Sequence, residues 1–142
     1  MVARGATPAG ARDEPRSLSA LIWWWGPAAA HAVLLFVLSS FSQLPAQPGG
    51  LSDKHMHFAM FGLLAALILR GLARGRAARV GAATVFATVA LTAAYGASDE
   101  IHQMFVPGRS ASWLDLLADT AGAIAVAGAI WACVIIRRRL DL

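Results

Sequence analysis

From Val80 to Ser98 the chain runs nineteen residues without a charge. Two other stretches, Ala20 to Phe41 and Trp113 to Ile136, are similarly long and dominated by apolar residues. A hydrocarbon core of about 30 Å is crossed by about 20 helical residues at 1.5 Å each. Both stretches meet that length, as does the charge-free run continued to about Gln103. A fourth segment, His55 to Leu69, is shorter. It spans only if Asp53 and Lys54 lie at the bilayer boundary or the membrane thins to meet it. Backbone groups in lipid must bond within their own segment, and apolar runs of this length cannot be barrel strands, so all four are expected to be helices. The predicted fold is all-α, an integral membrane four-helix bundle.

Composition agrees with that class. Of 142 residues, 58% are hydrophobic and only 14% charged, and the charges are bunched. Ten of the twelve Lys and Arg residues lie in three places: Arg4, Arg12 and Arg16; Arg70, Arg74, Arg76 and Arg79; and Arg137, Arg138 and Arg139. An up-down four-helix chain puts all three on one side, and the positive-inside rule makes that side cytoplasmic, with both termini there. The first apolar segment exceeds the usual signal-peptide core of 7–15 residues, so it is expected to be a retained anchor although Leu44-Pro45-Ala46 follows it. The expected layout is a disordered cytoplasmic tail over 1–18, a transmembrane domain over 19–137 and a short cytoplasmic tail over 138–142. Trp23-Trp24-Trp25, Trp113 and Trp131 fall near the two interfaces and are expected to anchor there.

The remaining polar residues are one-sided. Outside the tails every acidic residue, Asp53, Asp99, Glu100, Asp115 and Asp119, belongs to the end opposite the basic loops. Lys54, His55, His57, His102, Gln103 and Arg109 join them. Residues four apart share a helix face, as Asp53 and His57, Asp99 and Gln103, and Asp115 and Asp119 do. Three helices therefore present polar stripes at one depth. Asp119 lies six residues beyond Trp113, about 9 Å deeper, where an ionised carboxylate facing lipid costs about 2.5–3.5 kcal/mol. It is expected to face the bundle interior.

Capping explains some of these residues. Asp115 sits in the first turn after Ser112, a reasonable N-cap. Asp99 and Glu100 stand near a helix C-terminus, where the dipole disfavours negative charge, so capping does not explain them. Phe105-Val106-Pro107-Gly108-Arg109 reads as a tight turn that projects Arg109, either as the salt-bridge partner of the acidic helix ends or as a bidentate grip on an anion such as phosphate. His31, alone among alanines in the first helix, reads as a packed neutral histidine bonded to a neighbouring helix. Ala118, Gly122, Ala125 and Ala129 have the small-residue spacing that allows close helix approach.

In order along the chain stand Asp53-Lys54-His55-Met56-His57-Phe58, Asp99-Glu100-Ile101-His102-Gln103, Pro107-Gly108-Arg109, and Asp115 with Ala118-Asp119-Thr120-Ala121-Gly122. These resemble the DKxxHF, DExxQ, PGR and DxxxN/DxxG signatures of the VanZ-like membrane protein family, over roughly residues 50 to 130. The resemblance singles out Asp53, Lys54, His57, Glu100, Gln103, Gly108, Arg109, Asp115 and Asp119, with His55 and His102 in variable slots. Position 119 is often Asn in that pattern. The resemblance implies work at the bacterial cell envelope in the inner membrane, and a link to resistance against the lipid-tailed glycopeptide antibiotic teicoplanin. It implies no particular reaction.

Two functions follow as expectations. In the first, an enzyme acts on a lipid-linked phosphate or glycan headgroup: Arg109 and Lys54 hold the anion, His57 or Glu100 is the general base, and Asp115 or Asp119 orients it or binds a divalent cation. Asp53, Gln103 and Gly108 complete the ligand site. In the second, the same pocket binds a lipid or antibiotic without transforming it. A third, plainer role is that of a membrane assembly factor whose polar cluster locks the bundle. Asp53, His57, Glu100 and Asp115 are ligand types suited to Mg²⁺ or Mn²⁺, with Zn²⁺ open through His57. No local metal motif assigns a cofactor, and Cys133 is too far along its helix to join. The net charge of +4 is accounted for by the topology and points to no nucleic-acid partner. No phosphate-cradling GxxxxGK[ST] or GxGxxG element occurs.

Overall fold

The computed structural model describes residues 17–42 and 52–140. The tail expected over 1–18 lies outside it, save for its last two residues, as does Leu44-Pro45-Ala46. Among the described residues stand four helices, α1 (Leu18–Ser39), α2 (Asp53–Ala73), α3 (Ala82–Gln103) and α4 (Trp113–Arg139), and a 3-10 turn at Ala77–Arg79. The described residues form no strand, and the protein is a helical membrane bundle.

Local chemistry sets the helix ends. Ser17 caps α1, its Oγ accepting from the Ala20 amide at 3.2 Å. Ser52 opens α2 and its Oγ lies 2.7 Å from His55 Nδ1, so His55 serves the first turn rather than the interior. Arg74 and Gly75 close α2 with φ of 49° and 65°, the left-handed termination that frees the chain for the next element. Arg137, Arg138 and Arg139 form the last turn of α4 rather than a separate tail. There Arg138 donates to the carbonyl of Ala77 and ties that end to the 3-10 turn.

The apolar runs sort differently from the sequence expectation. The segment judged short is a 21-residue helix beginning at Asp53, and α1, α2 and α4 are long and apolar enough to cross a membrane. The helix α3, one of the three segments expected to span, is 22 residues long but less apolar, because it carries Thr84, Thr88 and Thr92 as well as Asp99 and Glu100. Its threonines are satisfied locally. Thr88 donates to Thr84 O at 2.8 Å and Thr92 to Thr88 O at 2.9 Å, both residues fully buried. A hydroxyl that bonds its own helix carries little of the penalty that a hydropathy sum assigns it.

The most extensive packing is between α2 and α4. Gly62 and Gly122 allow it: a Cβ on Gly62 would come 3.3 Å from the Gly122 carbonyl, and one on Gly122 would overlap the Phe58 carbonyl. The buried seam of α4 is Asp115, Asp119, Gly122, Ala123 and Ala127. The small-residue stripe expected on this helix therefore holds at Gly122 but not at Ala125 or Ala129, which are exposed. The polar side chains turn the helix, because Asp115 and Asp119 must face inward and carry their own stripe with them.

Two long-range hydrogen bonds attach α1. His31 Nε2 lies 2.9 Å from the Met60 carbonyl, as the reading of a packed histidine required, and Tyr95 donates to Ala32 O at 2.5 Å. Ala28, Leu35, Phe61, Leu64 and Ile68 fill the apolar core between them. At the opposite end from the acidic residues, Arg70 donates to Trp23 O and Trp24 O at 2.7 and 3.2 Å, its guanidinium lying over both rings. Trp24 and Trp25 also press on Gly75 and Gly71. These tryptophans thus clamp α1 to α2 in addition to any interfacial role.

Candidate functional site

The end of α1, the start of α2, the end of α3 and the start of α4 meet at one end of the bundle. They bury His57, Asp99, Glu100, Gln103, Asp115 and Asp119 together. The i, i+4 spacing places Asp99 with Gln103 and Asp115 with Asp119 inward, whereas of Asp53 and His57 only His57 is buried.

Asp119 is the deepest member, with 0% of its surface exposed. Its Oδ1 accepts from His57 Nδ1 at 2.9 Å, while its Oδ2 has no hydrogen-bond partner. The Nδ1–H bond fixes the imidazole tautomer, leaving the lone pair on Nε2, which lies 3.9 Å from Asp53 Oδ2. His57 stacks on Phe61, and Phe61 in turn meets Tyr95. A ring so held can accept a proton or ligate a metal at one nitrogen.

Asp119 Oδ2 sits over Gly96 of α3, where a Cβ would come within 2.8 Å of it. Gly96 is a site residue that the sequence reading missed, its only sign being a position one turn before Glu100. Gly96→Ala is expected to push the Asp119 carboxylate off His57 and to destabilise the bundle by about 1–3 kcal/mol. Urea or SDS unfolding of the variant measures the loss, and an unchanged midpoint would show that the carboxylate moves freely.

Glu100 takes a role that its place near a helix C-terminus did not suggest. Its Oε2 accepts the backbone N–H of Ser112 at 2.5 Å, so it caps α4 from across the bundle, while its Oε1 is buried and unpartnered. Ser112 occupies the expected N-cap position, but its side chain makes no capping bond. Asp115 instead pairs with Lys54, Nζ to Oδ1 at 2.8 Å, with the lysine side chain half-exposed. One of the three donors of the Lys54 ammonium is thus taken by a carboxylate.

Beside these groups lies a cavity of about 80 Å³. Leu35 and Leu38 of α1 with Met56 and Met60 of α2 form its apolar wall; Asp53, His57, Asp99, Gln103 and Arg109 form the polar one. The volume suits a compact polar group or several waters and is too small for a lipid tail. Arg109 stands in this wall with one hydrogen bond among the described residues, donated to Gln103 Oε1 at 2.9 Å; Gln103 in turn donates to Asp99 Oδ2 at 2.9 Å. Among the described residues no carboxylate lies within 4.0 Å of Arg109. The alternative that made it the salt-bridge partner of the acidic helix ends is thereby corrected, because Gln103 stands between it and Asp99. Gly108, with φ of 81°, turns the chain so that Arg109 can reach inward, a conformation that other residues rarely adopt. Asp99, noted for its spacing but not carried into the candidate site, lines the cavity with an unpartnered buried Oδ1.

The charge balance is uneven. Asp99, Glu100, Asp115 and Asp119 are all buried, and among the described residues the fixed cations near them are Lys54 and Arg109, of which just Lys54 touches a carboxylate. Two groups of side chains could hold a cation, Asp53 with His57 and Asp115, and His57 with Glu100 and Asp119; in each the ligand atoms lie within 4.8 Å of one another.

Long apolar helices enclosing a polar, mostly acidic site at one end define a small membrane-embedded protein with a cavity of about 80 Å³ beside that site. The sequence model of the VanZ/LLP1 family matches residues 18–137, all four helices but for the last residues of α4, and the chain belongs to that family. Comparison with curated proteins and with solved structures returns no match.

Proposed function

We propose that the polar end of this membrane protein faces outward from the bacterial inner membrane and binds the phosphate-bearing headgroup of a lipid or lipid-linked envelope precursor. The observation that carries this reading is Arg109, a guanidinium among the residues lining the cavity that has, among the described residues, Gln103 as its one hydrogen-bond partner. A planar fork of donors matches a phosphate better than it matches any group now beside it. The apolar wall from α1 and α2 receives the first carbons of the ligand, and the rest of its chain stays in lipid. His57 Nε2 lies at the same cavity and is the group placed to exchange a proton with the headgroup. Outward orientation is supported by the basic residues gathered at the other end.

Native mass spectrometry of protein released gently from membranes tests this. The wild type is expected to carry a phosphorylated lipid that Arg109→Ala loses by about 100-fold in affinity, with Arg109→Lys intermediate. Unfolding midpoints of the variants are expected to stay near that of the wild type, since among the described residues Arg109 makes one hydrogen bond and no salt bridge. No retained lipid in the wild type, or equal retention by all three proteins, would overturn the reading.

A further inference from the structure

The geometry points to a divalent-cation site formed by His57, Glu100 and Asp119, one ligand from each of three helices. It belongs to the same polar end but stands without the headgroup reading, since the cation needs no lipid to bind.

Three observations meet at this place. Glu100 Oε1 and Asp119 Oδ2 are buried carboxylate oxygens with no hydrogen-bond partner, on residues 7% and 0% exposed. A buried carboxylate with one of its two oxygens unbonded keeps part of a desolvation cost of several kcal/mol, so two such groups on residues that offer ligand atoms within 4.8 Å of each other call for a positive charge. The nearby cations do not supply it. Lys54 is bound to Asp115 and Arg109 to Gln103, and neither lies within 4.0 Å of Glu100 or Asp119.

The ligand atoms are already gathered. One atom from each residue lies within 4.8 Å of the others, and His57 Nδ1 is 2.9 Å from Asp119 Oδ1. That separation is close to the roughly 3 Å between adjacent ligands on a cation bound at about 2.1 Å. The surroundings brace the ligands as outer groups at metal sites do. The Ser112 amide fixes the other oxygen of Glu100 at 2.5 Å, Gly96 leaves room for Asp119, and Asp53 Oδ2 stands 3.9 Å from His57 Nε2.

On binding, His57 gives up its Nδ1 proton to solvent and takes one up from solvent on Nε2, so that the ring stays neutral and the Nδ1 lone pair turns to the cation. The ring then carries its proton on Nε2, beside Asp53 and the cavity, and becomes a hydrogen-bond donor there. Two carboxylates and one imidazole favour Mn²⁺, which accepts both ligand types, with Mg²⁺ and Zn²⁺ as competitors.

The test uses full-length protein in lipid nanodiscs, stripped with chelator and titrated with Mn²⁺ followed by electron paramagnetic resonance and thermal unfolding. One bound Mn²⁺ per chain is expected, displaced by excess Mg²⁺ or Zn²⁺, with the unfolding midpoint raised by several degrees. Glu100→Gln and Asp119→Asn, which keep the shape of each side chain, should each weaken Mn²⁺ binding at least tenfold and abolish the rise. A wild type that binds none of the three metals would overturn the proposal, leaving protons to neutralise the carboxylates. So would binding that Asp53→Asn and Asp115→Asn remove while Glu100→Gln does not, because the metal would then sit in the neighbouring group. Loss of lipid in Arg109→Ala with Mn²⁺ binding intact would separate this site from the headgroup reading.

Discussion

Gly122→Val is expected to lose about 3 kcal/mol or more of stability, enough to keep much of the protein from accumulating in the membrane. A Cβ at this position overlaps the carbonyl of Phe58, which is the backbone of the facing helix and not a side chain that can swing away. The helices α2 and α4 would have to separate, and their contact is the largest in the bundle. Separation would also pull His57 from Asp119, since both flank the same crossing and their bond joins these two helices. Gly128 is the internal control: no atom lies within 4 Å of a Cβ built there, so Gly128→Ala is expected to be neutral or to gain a few tenths of a kcal/mol from helix propensity. Unfolding in SDS titrations, followed by tryptophan emission, measures both. Equal behaviour of the two variants would mean that α2 and α4 do not approach as closely as described.

Asp119→Asn is expected to do the opposite, raising the stability of the cation-free protein by about 1–3 kcal/mol while removing whatever activity the site has. The amide keeps the side chain's shape, and its oxygen still accepts from His57 Nδ1. What disappears is a charge at 0% exposure, among Asp99, Glu100 and Asp115, with one oxygen unpartnered. Removing it relieves repulsion without opening a cavity. Thermal unfolding in chelator at neutral pH compares the variant with the wild type. A lower midpoint for Asp119→Asn would show that the charge is compensated in the resting protein and that the buried cluster stabilises the fold. The two experiments separate packing from electrostatics at neighbouring positions of α4.

Much of the site was legible because helical spacing and sidedness are properties of the chain itself. Asp53 and His57, Asp99 and Gln103, and Asp115 and Asp119 fall on common faces in any α-helix, and acids in apolar segments must turn inward. His31 was legible for the same reason, a lone polar group that needs a partner across a helix boundary. Pairings between helices were not legible. That Lys54 takes Asp115, that Glu100 reaches the Ser112 amide, and that Arg109 meets Gln103 rather than a carboxylate all depend on the rotation and depth of four helices. Gly96 stayed hidden because its importance is the space it leaves for a residue on another helix. Local hydropathy also misjudged α2, since it cannot know that Asp53 and Lys54 begin that helix.

The sequence by itself determined that this chain is a helical membrane protein with its acids at one end, because a hydrocarbon solvent admits few alternatives for long apolar runs. The family was legible in its ordered polar motifs, which the match over residues 18–137 bears out. The tertiary structure alone decided which carboxylates are paired and which oxygens stand alone. Those outcomes turn on distances of a few ångströms between helices, and the close crossing of Gly62 and Gly122 is what brings His57 onto Asp119 and leaves the buried negative charge without enough cations.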